Sequence, residues 1–98
     1  MYKVKYHKLI KKDIKNFSNE LKEIIRKKHI QAILKAPYNN PNLKGLMKNF
    51  KKYIFRFKRV SYRIIYKVEE DKKLIKIYII DKREEVYEKI IRRLQFTE

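Results

Sequence analysis

Tyr53-Ile54-Phe55-Arg56-Phe57 and, after Lys58–Ser61, Tyr62-Arg63-Ile64-Ile65-Tyr66 are two runs of aromatic and β-branched residues around a short polar break. They read as a β-hairpin. A third run over 73–80, after Glu69-Glu70-Asp71-Lys72, extends it into an antiparallel meander of strands at about 53–58, 61–68 and 73–80. Tyr62, Ile64, Tyr66, Val68, Tyr78 and Ile80 are expected on one face, and Ile65, Ile75, Ile77 and Ile79 on the other. A sheet apolar on both faces needs two covers.

Upstream, Tyr2-Lys3-Val4-Lys5-Tyr6 alternates with period two and reads as a first strand. Ile10, Ile14 and Phe17 share a helical face. Ser18 is suited to cap a second helix, with Glu20 in its first turn and Leu21, Ile24, Ile25, Ala32 and Ile33 on its inner side. Pro37 ends that helix. Residues 36–45 form the main loop, and Val86, Ile90, Ile91 and Leu94 mark a last amphipathic helix. The expected fold is α+β, in the order β-α-α-β-β-β-α. It has an antiparallel four-stranded sheet, a helical hairpin on one face and a short C-terminal helix, or a bound partner, over part of the other.

The 98 residues bound this to a single domain, 1–98. Cysteine is absent, which excludes disulfides and thiolate metal sites and fits a cytoplasmic protein. Apolar runs are too short to span a membrane, and the N-terminus lacks the apolar segment of a signal peptide. No metal-ligand spacing, phosphate-binding glycine loop or Ser/His/Asp set is present, so no cofactor is expected. His7 and His29 lie far from the hairpin and are expected to be structural or exposed.

Charge carries the functional signal. The formal net charge is +17, and between Glu23 and Glu69 thirteen Lys and Arg stand without one acidic residue. Such an imbalance favours anionic partners, nucleic acid or an acidic protein above all. Lysine is abundant throughout, as codon bias or a thermophilic source would make it. Arginine is not: there are seven, among them Arg56, Arg63 and Arg83. With a four-residue hairpin loop, Phe57 pairs with Tyr62 and Arg56 falls opposite Arg63. Like charges in that position repel. Either both splay into solvent or both converge on an anion, for which a guanidinium has the right planar geometry.

Four segments together, Asn42-Leu43-Lys44-Gly45-Leu46, Tyr53–Phe57, Ser61-Tyr62-Arg63-Ile64-Ile65-Tyr66 and Asp81-Lys82-Arg83-Glu84-Glu85-Val86-Tyr87, resemble the RelE/ParE toxin superfamily, RelE in particular. The likeness spans the whole chain. It implies the RelE-like microbial ribonuclease fold. It also implies the toxin of a type II toxin–antitoxin system, which cuts messenger RNA in the ribosomal A site by 2′-hydroxyl attack, leaves a 2′,3′-cyclic phosphate without a metal, and is silenced by a RelB-type antitoxin. By position, Arg63 is implied to bind the scissile phosphate, Arg83 to protonate the leaving oxygen, and Tyr87 to stack on a base or orient the 2′-hydroxyl. Arg56 stands where the family often has lysine. A second strand lysine, the family's usual base candidate, is replaced by Ile54. Lys51, Lys52 and Lys58 are nearby, whereas Arg56 stays protonated.

Lys44, Lys48, Lys51, Lys52, Lys58, Arg59 and Lys82 are candidate RNA contacts through counterion release. Each residue also has a plainer reading. Arg63 would be a structural strand arginine, Arg83 a partner of Asp81 or Glu84, Tyr87 a packing residue under the last helix, and the lysines a solvated rim. Two other functions remain open: a ParE-type non-enzymatic inhibitor of DNA gyrase, and a non-catalytic RNA- or ribosome-binding module.

Overall fold

The computed structural model describes residues 1–95. Strand β1 (Lys3–Tyr6) leads into a single helical turn, α1 (Ile10–Asp13). The α1 helix stops short of the Ile10–Phe17 stretch because Ser18 adopts an extended backbone, with ψ 159°, to begin the next helix. Its hydroxyl accepts from Leu21 N–H at 3.1 Å, as expected of the cap. Helix α2 (Asn19–Ile24), a π-helical turn (Ile25–His29) and α3 (Ile30–Lys35) then run without a break to the residue pair before Pro37.

The π turn inserts one residue into the helical phase. It turns Ile25, His29, Ile30 and Ile33 inward, and leaves Ala32, expected on the inner side, exposed. Strands β2 (Lys51–Phe57), β3 (Val60–Glu69) and β4 (Leu74–Asp81) follow, and α4 (Tyr87–Leu94) ends the described chain.

The sheet order is β1-β4-β3-β2. The meander β2-β3-β4 is antiparallel as expected, but β1 runs parallel to β4, so the sheet is mixed. The helical crossover is the cause. It returns the chain to the end of the sheet where β1 began, so β2 starts in the same direction as β1, and β4, two antiparallel steps later, matches both.

Two further corrections concern register. The β2–β3 turn holds two residues, not four: Phe57 pairs with Val60, Phe55 with Tyr62, and Arg56 with Ser61. Arg56 is therefore not opposite Arg63; Ile54 is. Lys58 and Arg59 make the turn possible by adopting φ of 49° and 70°, a left-handed pair that fits a tight hairpin. On β4, the pairing jumps from Ile65↔Ile79 to Tyr66↔Ile77, which leaves Tyr78 as the extra residue of a β-bulge. The bulge inverts the expected alternation.

Ile75, Ile77 and Ile80 now join Ile64, Tyr66 and Phe55 against Ile10, Leu21, Ile25, Ile30 and Ile33. Tyr78 and Ile79 join Ile65 on the opposite face, beneath Leu43, Met47, Phe50, Val86 and Ile90. Each fully buried isoleucine contributes about 1.5–3 kcal/mol relative to exposure. The second cover, α4 together with the 43–50 segment, stops short of the hairpin end of the sheet, where Ile54 and Arg56 stay exposed.

Candidate nucleic-acid interface

That uncovered corner is built from one row across three strands, Ile54↔Arg63↔Asp81. On β2, Tyr53, Phe55 and Phe57 pack toward the helices, so the alternate residues Lys52, Ile54 and Arg56 face the other way. Arg63 lies in the same row on β3, one residue from Ile64, which faces the helical layer.

Arg63 is the unusual member. It is only 8% exposed, yet its charge is lightly compensated. Nη1 donates to the Lys82 carbonyl at 3.1 Å, and Nη2 lies 3.7 Å from Glu84 Oε1. No third side-chain or main-chain partner holds the guanidinium among the described residues, and Glu84, its second contact, lies 90% exposed at the surface. The side chain is thus held by the main chain and presents donors outward, which is the geometry a phosphate requires.

The segment after β4 is shaped by Asp81. Its Oδ1 accepts from the N–H groups of Lys82 at 2.7 Å and Arg83 at 3.2 Å, while Oδ2 accepts from Lys89 Nζ at 2.9 Å. Burial works against ionisation of Asp81, but the hydrogen bond and charge of Lys89 and the two N–H groups outweigh it and hold the carboxyl below its usual range. Lys82 and Arg83 are thereby turned outward, and no side-chain partner holds either of them among the described residues. Both border a cleft of about 740 Å³ with Lys12, Phe57 and Tyr62. Glu84, a candidate partner for Arg83, faces Arg63 instead.

Tyr87 begins α4 and is partly exposed, and its hydroxyl accepts from Lys44 N–H at 3.2 Å. This contact joins α4 to the loop before Gly45, whose φ of +65° turns the chain toward Lys48. Two tethers fix the loop to the sheet. The buried Tyr66 hydroxyl donates to Pro37 O at 2.7 Å and accepts from Asn40 Nδ2 at 3.0 Å. Lys51 Nζ donates to Asn40 O at 3.1 Å and Asn42 Oδ1 at 2.6 Å, so its charge is engaged within the loop. Lys44, Lys48 and Arg59 are exposed. Lys58 pairs loosely with Glu20 at 3.2 Å, and Arg56 donates to the Arg59 carbonyl at 3.4 Å.

The corner therefore assembles Lys52, Ile54, Arg56, Arg63 and Glu84, with Lys82 and Arg83 on the adjoining segment. Lys44 and Tyr87 form a second group, joined by their own hydrogen bond. His7 and His29 are buried and lie outside both groups.

A lattice of charge fixes the segment from beneath. Arg93 donates to both oxygens of Asp13, at 2.8 and 2.5 Å, and to Tyr78 O at 2.6 Å. Lys89 reaches Asp13 and Asp81 at 2.9 Å each. Nothing in the local sequence marks Asp13 or Arg93, which stand 80 residues apart. Among the described residues no cluster could hold a metal ion, and no helix is long and apolar enough to cross a membrane.

Several solved structures share this fold. A doubly substituted Escherichia coli RelE in the free state aligns with a TM-score of 0.72 at 25% identity, over 95% of this chain and 97% of that one. The toxin–antitoxin complex RelBE2 of Mycobacterium tuberculosis gives 0.71 at 14% identity, over 84% and 98%. The intact E. coli RelBE complex gives 0.66 at 20% identity, over 87% and 100%. Among curated proteins no sequence match reaches significance. The family described as ParE toxin of type II toxin–antitoxin system, parDE, matches residues 4–87, nearly the whole described chain. With the RelE fold around it, the chain belongs to the ParE toxin family of type II toxin–antitoxin systems, within the RelE/ParE superfamily.

Proposed function

We propose that this toxin is a ribosome-dependent messenger-RNA endonuclease of RelE type, acting in the cytoplasm and neutralised by a RelB-type antitoxin. The observation that carries the reading is Arg63: a guanidinium anchored on a main-chain carbonyl, in only a loose ion pair with exposed Glu84 and beside the exposed Lys82 and Arg83. In the proposed reaction Arg63 binds the scissile phosphate and stabilises charge as the phosphorane forms. The 2′-oxygen bonds to phosphorus, the bond to the 5′-oxygen breaks, and Arg83 supplies the proton that this oxygen leaves with. The products carry a 2′,3′-cyclic phosphate and a 5′-hydroxyl. Tyr87 orients the nucleotide. Arg56, Lys52, Lys82, Lys44, Lys48, Lys58 and Arg59 draw in the polyanion, whereas Lys51 serves the loop first. The RelBE complexes, in which RelE-fold toxins are held by RelB-type antitoxins, support the same class of partner here.

The test is primer extension on a defined message in a cell-free translation reaction, with wild type beside Arg63→Ala. Breaks within A-site codons, absent without ribosomes and lost in the variant, are expected. A second reading, ParE-type inhibition of gyrase, is favoured by the family match and by Ile54 in the row with Arg63. An intact message together with stalled gyrase complexes would select it.

A further inference from the structure

The proposed cleavage needs a group that takes the proton of the 2′-hydroxyl, and the corner around Arg63 consists almost wholly of cations. A resting guanidinium is already protonated and has no lone pair with which to accept a proton. Ile54, directly across from Arg63, has nothing to titrate. Tyr62, next to Arg63 in the chain, packs on the helical side of the sheet, and the Tyr87 hydroxyl is engaged by Lys44 N–H.

One carboxylate breaks the pattern. Glu84 Oε1 lies 3.7 Å from Arg63 Nη2, on a side chain that is 90% exposed. The separation is that of a loose ion pair, not of a closed hydrogen bond. No other group holds either Glu84 oxygen among the described residues. The other acidic residues of the segment differ. Both oxygens of Asp81 are occupied by Lys89 and by two backbone N–H groups. Among the described residues Glu85 is exposed and holds no ion pair with Arg63.

We propose that Glu84 is the general base of the RNA-cleaving reaction, poised by Arg63 so that one side chain binds the phosphate while its neighbour deprotonates the nucleophile attached to it. This rests on the endonuclease reading above. A phosphate on the outward N–H groups of Arg63 brings its attacking 2′-oxygen to within about 3–3.5 Å of phosphorus in the reactive conformation. A carboxylate beside the same guanidinium is then within hydrogen-bond reach of that oxygen. The proton passes from the 2′-hydroxyl to Glu84, the 2′-oxygen bonds to phosphorus, the bond to the 5′-oxygen breaks, and Arg83 protonates the departing oxygen. Glu84 later returns its proton to water, and water restores that of Arg83. The opposing account gives Glu84 only a masking role, in which it neutralises Arg63 until RNA displaces it. The two accounts predict opposite signs for its removal.

The experiment compares wild type, Glu84→Gln and Glu84→Ala on programmed ribosomes, measuring single-turnover cleavage and, separately, co-sedimentation with ribosomes. Glu84→Gln is expected to slow cleavage by about 10²–10⁴-fold with binding unchanged or tighter. Added formate is expected to restore part of the Glu84→Ala activity. Unchanged or faster cleavage by Glu84→Gln, with wild type active, overturns the base and leaves the endonuclease standing. Slow cleavage that tracks lost binding and that formate does not rescue also overturns it, as a structural effect. A wild type that leaves the message whole removes the endonuclease reading and the base together.

Discussion

Arg63 donates to the main-chain carbonyl of Lys82 at 3.1 Å, so the strand arginine and the basic segment after β4 are parts of one construction. The contact fixes the guanidinium plane while its remaining donors stay outward. Arg63→Ala is expected to reduce cleavage by about 10²-fold or more, as loss of a preorganised donor does elsewhere. Arg63→Lys keeps the charge but loses the fork that holds both Lys82 and a phosphate, so it is expected to fall well below wild type. Both follow from single-turnover rates on programmed ribosomes. Wild-type rates for Arg63→Lys would show that charge alone suffices.

The hairpin turn breaks a local rule. Lys58 and Arg59 both have positive φ, where Asn-Gly is the favoured pair. Replacing Lys58-Arg59 with Asn-Gly is expected to stabilise the fold by about 1 kcal/mol or more in urea titration, because Asn and Gly adopt left-handed backbone at less steric cost than Lys and Arg. The lost Lys58–Glu20 pair is exposed and offsets little of that gain. The same change removes two cations and is expected to lower the slope of log affinity for single-stranded RNA against log salt by about 1–2. A stabilised variant with an unaltered slope would show that these cations do not touch the polyanion.

Asp13 and Arg93 form a bidentate pair almost fully out of solvent, with side chains 2% and 5% exposed. Removing one partner leaves a buried charge uncompensated. Asp13→Ala is expected to cost about 3–5 kcal/mol, read from the urea midpoint. The double replacement Asp13→Leu with Arg93→Met is expected to recover most of that loss, because it removes both charges. A double variant no better than the single would place the loss in the Ile80 N–H bond to Asp13, at 3.0 Å, instead of in the charge.

Local signals in the sequence specify part of this fold, and long-range ones the rest. The Ser18 cap, the end of the helix before Pro37 and the three-strand meander are local signals, each set by a few neighbouring residues, and all are present. The failures are non-local or irregular. The Tyr78 bulge leaves no mark in composition, yet it exchanges the faces of Ile75, Ile77 and Tyr78. The π turn does the same to Ala32. The two-residue turn was hidden because Lys58-Arg59 lacks the usual glycine. Parallel pairing of β1 depends on where the crossover returns the chain. In the site, the basic segment was legible from charge and motif. The approach of Glu84 to Arg63 was not, because Asp81 decides which way the 82–84 segment turns.

Tyr87→Phe separates two roles at the start of α4. The hydroxyl accepts from Lys44 N–H, so its loss frees the loop without removing the ring. Unchanged cleavage is expected if the ring stacks on a base. A fall in rate with ribosome binding retained would assign the hydroxyl to the chemistry.

His29 gives a pH signature that belongs to the fold and not to the site. The ring is buried, stacks on Phe55 with centroids 3.9 Å apart, and shares a hydrogen bond between Nδ1 and the Tyr53 hydroxyl at 2.8 Å. Burial, reinforced by the charge of Lys28, lowers its pKa below the ordinary value of 6.5. The unfolded chain then binds the proton first as pH falls. This contribution to stability is full above about 6.5 and is lost progressively as pH falls from there through the lowered folded value. His29→Phe is expected to be less stable at neutral pH, since the Tyr53 hydroxyl loses its partner, but its stability is expected to fall less between pH 6.5 and 5. Urea midpoints of both proteins across that range decide the matter. Parallel curves would mean that His29 titrates alike in the folded and unfolded chains and that its burial is relieved on protonation.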